Sequence, residues 1–183
     1  QFGMVKATER RLIEFYQHAK IDPHFKDFCQ ACKKRGIRVV VLSDGLDFYI
    51  ERILRRLGLR DVPYFANHME FVDGRMAFRF PHRNPRCGMC GNCKRRHVAR
   101  LRKHCEWIAY VGDGHSDRCA VGSGGKRRRL VDEVFAKDAL AEHCAEHGIP
   151  YRPFRGFRDL TRLVSGLTLQ PSRGRMSAPW RET

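Results

Sequence analysis

A chain of 183 residues is long enough to bury one sizeable core and too short for two ordinary domains. With 42% hydrophobic residues, 31% charged residues and 8 prolines, it is neither disordered nor collagen-like. Its longest aliphatic run, Val39–Leu42, falls far below the ~20 residues of a membrane-spanning helix. Lys+Arg 36 against Asp+Glu 20 gives +16, which keeps polyanions open as partners but equally describes a solvated, arginine-rich surface. Cys29, Cys32, Cys87, Cys90, Cys93, Cys105, Cys119 and Cys144 come with no secretory feature. They read as reduced thiols of a cytoplasmic protein rather than a disulfide framework. Gln1 in place of methionine implies a cut amino terminus.

In chain order, apolar residues at helical spacing predict a helix from Val5 to about Lys20 and a second from Pro23 to Arg35, stopped by Gly36. Ile37–Ser43, a β-branched run, predicts a buried parallel strand, and Asp44-Gly45 then turns the chain into a helix over Asp47–Leu57. Alternation around Asp73-Gly74 predicts a β-hairpin within 66–80. A cysteine-rich loop leads into a basic helix over Cys93–Lys103, followed by a buried strand at Trp107–Gly112. A short strand at Val134–Ala136, a helix over Asp138–His147 ended by Gly148, and a last helix at Phe157–Val164 complete the order. Strands alternating with helices imply an α/β fold with a parallel sheet flanked by helices. Gly122–Arg129 reads as a flexible basic insert, and Leu167–Thr183 as a loosely ordered tail.

Ligands of open α/β sheets bind beyond the carboxyl ends of the strands. Two such ends carry chemistry. At Ser43-Asp44-Gly45, a hydroxyl and backbone N–H groups at a predicted helix start suit a phosphate, although a plain N-capped turn would read the same. At Gly112-Asp113-Gly114-His115-Ser116-Asp117, two carboxylates after a strand suit Mg²⁺, which takes one or two carboxylates with waters and phosphate oxygens. A turn residue followed by a helix cap is the structural alternative. Lys94, at the start of the basic helix, could neutralise a phosphoryl group, while a single lysine in such a helix is ordinarily solvated.

Taken together, VVVLSDGLDFYIERIL, the Asn92-Cys93-Lys94 run and YVGDGHSDRC resemble the second, third and fourth motifs of the haloacid dehalogenase-like phosphatases. The resemblance covers about Phe25–Phe157. It is to the phosphoserine-phosphatase-like branch, near the 2-hydroxy-3-keto-5-methylthiopentenyl-1-phosphate phosphatases of methionine salvage and the phosphoethanolamine/phosphocholine phosphatases. It implies a Rossmann-like fold and Mg²⁺-dependent hydrolysis of a small phosphorylated metabolite through an aspartyl-phosphate. Ser43, with the backbone at Asp44 and Gly45, would hold the phosphoryl group, and Lys94 would offset its charge. Asp113 would ligate Mg²⁺, and Asp117 would ligate it or orient its waters. Residues 1–36 would form a partial helical cap with linking helices, 37–166 the core and 167–183 the tail.

The family's first motif, DxDxT on an amino-terminal strand, supplies the nucleophile, yet Asp-x-Asp spacing occurs nowhere in the chain. A fragment without that strand, or an inactive protein, is the resulting expectation. Cys87, Cys90 and Cys93 with His97 also have the spacing of a tetrahedral zinc site, though a metal-free reduced loop fits as well. Cys29 and Cys32 read as core and surface residues of one helix. The alternative function is a non-catalytic module binding nucleic acid through Arg95–Lys103 and Lys126–Arg129. Against it, that helix lacks the aromatics that stack on bases. Oligomeric state and substrate identity are not written in these residues.

Overall fold

The computed structural model describes residues 7–86, 90–122 and 129–166. Nearly all of the expected basic insert, the whole expected tail and Cys87 lie outside them. Thr8 starts α1 (Glu9–Gln17) by accepting the Arg11 N–H, and Arg56 closes its far end by donating to the carbonyls of Tyr16, Gln17 and Ala19. These are the carbonyls that a helix end leaves without an internal partner. Helix α2 (Phe25–Lys34) stops where Gly36 adopts φ +67° and the Ile37 N–H returns to the Cys32 carbonyl, a glycine C-cap. Both Cys29 and Cys32 are buried, so neither is the surface residue expected for one of them. Desolvation pushes their thiols up to about 12 and about 11.

Strand β1 (Val41–Leu46) lies later than the predicted 37–43. Its parallel partner β2 (Tyr64–Val72) begins only at Tyr64, so Val41, opposite Tyr64, is the first residue with a ladder partner. Ile37 and Val39 pack on the core without joining the sheet. Helix α3 (Asp47–Arg56) follows directly. The predicted hairpin is present: β2 turns at Asp73 (φ 49°) and Gly74 (φ 74°) into antiparallel β3 (Arg75–Arg79), and two positive φ values are what a two-residue hairpin turn needs. The later elements are α4 (Lys94–Leu101), β4 (Ala109–Gly112), a 3₁₀ turn (His115–Asp117), α5 (Arg118–Val121), β5 (Glu133–Ala136), α6 (Asp138–Glu146), β6 (Arg152–Pro153) and α7 (Phe157–Gly166). Strand β4 starts two residues later than predicted, with Trp107 exposed. The two-residue β6 carries no sequence signal of its own.

The α/β architecture is therefore as read, with one difference. Its strands form two three-stranded sheets, β1-β2-β3 and β4-β5-β6, rather than one. The sheets nevertheless share both helical layers. One core cluster joins Phe28 and Cys32 of α2, Ile50 and Leu54 of α3, and Leu160 of α7 to Ala66 of the first sheet and Phe135 of the second. The other joins Val98 of α4, Ala120 of α5 and Leu140 of α6 to Tyr110 and Ala136, with Leu42 of β1 packed against them. A third, smaller cluster sits under α1 and the hairpin.

Leu140 and Ala136 are wholly shielded from solvent, and a truncated leucine there leaves a cavity its neighbours cannot fill. Leu140→Ala is expected to lower unfolding free energy by about 2–5 kcal/mol in urea denaturation. A loss within about 0.5 kcal/mol would show that the second core is not close-packed.

Candidate active site

The carboxyl end of β1 is held by an asparagine from a distant loop. Asn92 is completely buried, and its Nδ2 donates to the carbonyls of Ser43 (2.7 Å) and Phe65 (2.8 Å). Its backbone N–H donates to Asp44 Oδ1 at 2.9 Å. Asn67 adds a second clamp, donating through Nδ2 to the Asp44 carbonyl at 2.7 Å. These bonds keep Ser43-Asp44-Gly45 inside the strand, with the register of β1 against β2 broken between Leu42 and Leu46. The expectation of a helix start at these residues is thereby corrected, because α3 begins at Asp47. The Gly45 N–H donates to Ser43 Oγ at 3.0 Å, so this backbone donor, expected to meet a phosphate, is spent within the turn. The Ser43 hydroxyl proton remains available. A Cβ on Gly45 would lie 1.7 Å from Tyr49 Oη, and Tyr49 stacks on Tyr16 of α1 at 4.5 Å, which ties the first helix to this end of β1.

Two residues beyond Asn92, Lys94 opens α4 and is 93% shielded, with 7% of its surface exposed. Its Nζ donates to Asp117 Oδ1 at 2.5 Å. Asp117, 4% exposed, also accepts Tyr110 Oη on Oδ1 at 2.7 Å, and on Oδ2 the backbone N–H groups of Asp113 (3.1 Å) and Gly114 (2.9 Å). Burial pushes its carboxyl up, but the Lys94 charge and hydrogen bond, with those from Gly114 and Tyr110, outweigh it and leave the group below the ordinary 3.8. The close approach requires glycine at the end of β4: a Cβ on Gly112 would meet Asp117 Cγ at 2.8 Å.

Asp113 behaves differently. Its side chain is 61% exposed, with Lys137 Nζ 3.8 Å from Oδ2. One open carboxylate beside a solvent-facing loop fits a cation that fills its shell with water and phosphate oxygens. Both oxygens of Asp117 are already occupied by protein donors. Ser43, Lys94, Asp113 and Asp117, far apart in sequence, are thus linked through Asn92 and the loop amides at one rim. Asn92, Asn67, Tyr110 and Tyr49 complete it and had no distinguishing pattern in the sequence.

The zinc expectation fails on His97. Its ring is buried and stacked on Phe65, and Nε2 donates to Asn92 Oδ1 at 2.7 Å. Among the described residues no group of three or more His, Cys, Asp or Glu could hold a metal. The seven described cysteines are free thiols. Basic residues of the α4 segment are also drawn inward: besides Lys94, Arg95 reaches the Cys119 carbonyl, Arg96 that of Arg83, and Arg102 pairs with Asp132.

Burial, then the nearby His82, Arg100 and Arg96, pull the His97 imidazole down to about 4, and its Nδ1 has no hydrogen-bond partner. An unfolded histidine near 6.5 binds a proton that the folded one refuses. Stability is therefore complete above pH 6.5 and falls as pH drops toward 4, by about 3 kcal/mol. Urea denaturation between pH 7 and pH 4 is expected to show this loss, reduced in His97→Gln. An unchanged slope in the variant would contradict the assignment.

A family profile of haloacid dehalogenase-like hydrolases matches residues 1–121. The chain is 30% identical over 167 residues, 89% of its length, to the 2-hydroxy-3-keto-5-methylthiopentenyl-1-phosphate phosphatase of Brevibacillus brevis, of which it covers 72%. It is 32% identical over 146 residues, 79% of its length, to the protein of that name from Exiguobacterium sibiricum, and spans only 63% of that relative. Among solved structures, phosphoserine phosphatase from T. onnurineus superimposes with a TM-score of 0.62 at 17% identity, over 89% of this chain and 68% of that one. At such identity the likeness is one of fold. The profile match extends over more than half the sequence, and the chain belongs to the haloacid dehalogenase-like hydrolases.

Proposed function

We infer that these residues form the phosphoryl-binding rim of a phosphatase acting on a small phosphomonoester. The single observation that carries the reading is the Lys94–Asp117 contact. It fixes a buried ammonium between the carboxyl ends of β1 and β4, beside the Ser43 hydroxyl and the open Asp113 carboxylate. Ser43 donates to a phosphoryl oxygen, and the two ammonium protons that Asp117 does not take are available to others. Asp117 is a positioning residue that holds Lys94 and shapes the Asp113 loop. Asp113 is the residue that would hold Mg²⁺, which when bound offsets phosphoryl charge. The relatives named for 2-hydroxy-3-keto-5-methylthiopentenyl-1-phosphate make a phosphomonoester of that kind the first substrate to assay.

The nucleophile is not among these 183 residues, since no Asp-x-Asp is present. Turnover through an aspartyl-phosphate therefore needs an aspartate-bearing strand supplied alongside them. Free thiols support a reducing, cytoplasmic setting, and no helix among the described residues is long and apolar enough to cross a membrane. Nucleic-acid binding is the weaker reading, because the α4 segment spends several of its cations on internal partners.

The chain extended by a strand ending in Asp-x-Asp-x-Thr is expected to release phosphate with Mg²⁺, whereas the 183 residues alone do not. In the extended protein, Asp113→Asn and Lys94→Met each lower kcat/KM by about 100-fold or more. An inactive extended protein, or full activity in Asp113→Asn, would overturn the assignment. Oligonucleotide binding that weakens steeply with salt would instead favour the nucleic-acid reading.

A further inference from the structure

The two sheets end on edges that face one another. In the first, β3 is the outer strand and packs under α1 through Met76 and Phe78; in the second, β6 is outer and both its residues are exposed. That leaves β1 and β4 as inner edges, each with a ladder partner on one side only among the described residues. The same two helical layers cover both. Burial shows a gap between them. Strand residues nearest the middle of such a layer should be the most shielded, yet Val41–Gly45, Ala109, Val111 and Gly112 are half-buried, whereas Phe65–Asn67 of β2 and Val134–Ala136 of β5, one strand further out, are buried.

We propose that the space between β1 and β4 is a slot for one extended peptide segment, running parallel to both, apolar over four to six residues and carrying an aspartate just beyond them. The length is that of β4 and β1, 4 and 6 residues. Apolar character on both faces follows from the layers above and below. The aspartate follows from charge: Lys94, anchored beside β1 through Asn92 and bonded to Asp117 beyond β4, crosses the carboxyl end of the gap and keeps ammonium protons for a further acceptor. Every aspartate of the chain already belongs to the described structure, so the segment comes from polypeptide other than these 183 residues. The slot stands on geometry, while the chemical role of its aspartate rests on the function inferred above.

The probe is a synthetic peptide, Lys-Lys-Val-Ile-Val-Phe-Asp-Gly amide, added to the chain and read by amide hydrogen exchange. Exchange should slow by about tenfold or more at both Leu42–Leu46 and Ala109–Gly112. A peptide with proline in place of the central valine, which cannot complete the ladder, should give no protection, and one with Asn in place of Asp should bind about tenfold more weakly. Protection of one strand only, of neither, or equal protection by the proline peptide would overturn the slot. So would inner-edge amides already slow in a free chain that sediments as a dimer, because a second copy then fills the gap. Equal affinity for the Asp and Asn peptides would remove the carboxylate. Binding is read without phosphate release, so failure of the phosphatase assay with protection intact removes the activity and leaves the slot.

Discussion

The ion pair of Lys94 and Asp117 is the contact on which the site depends. Withdrawing two charges from water costs several kcal/mol for each, and attraction alone seldom repays it. Here Asp117 is further served by Tyr110 and by the N–H groups of Asp113 and Gly114. Every lone-pair region of the carboxylate that the fold shields has a donor, so the charge is held and its position is fixed. Because Lys94 follows the Asn92 clamp on β1 and Asp117 organises the loop after β4, one contact determines how the two half-sheets meet at their carboxyl rim.

That geometry separates roles that spacing alone could not. Two carboxylates four residues apart look equivalent as metal ligands. In the fold one is saturated by protein donors and the other is open to solvent. The saturated one shapes the site, and the open one is free for chemistry. The same reasoning removes zinc from the cysteine loop: an imidazole that donates to Asn92 and stacks on Phe65 serves the β1 clamp.

What the sequence disclosed was what local chemistry controls. Gly36 and Gly148 stop helices through positive φ, Asp73-Gly74 makes the hairpin, and the apolar spacing of Phe48, Ile50 and Leu54 sets the inner face of α3. The rim residues Ser43, Lys94, Asp113 and Asp117 were legible because each follows or adjoins a buried run. Asn92, Asn67 and Tyr110 were not, because their roles lie in hydrogen bonds to partners between 7 and 49 residues away. The start of β1 was misplaced for a related reason: a β-branched run states a preference for extended backbone, but only the position of β2 decides where the ladder begins. Nothing local could show that β1 and β4 would each lack a neighbour on one side.

A double-mutant cycle on the buried pair tests this arrangement most directly. Lys94→Met, Asp117→Asn and the double variant would be compared by urea denaturation at neutral pH. A coupling of about 2 kcal/mol or more, with the double variant less destabilised than the sum of the single ones, is the expected result. Additivity within about 0.5 kcal/mol would mean that the two side chains do not meet, and that the rim joining Ser43, Lys94 and Asp113 does not exist.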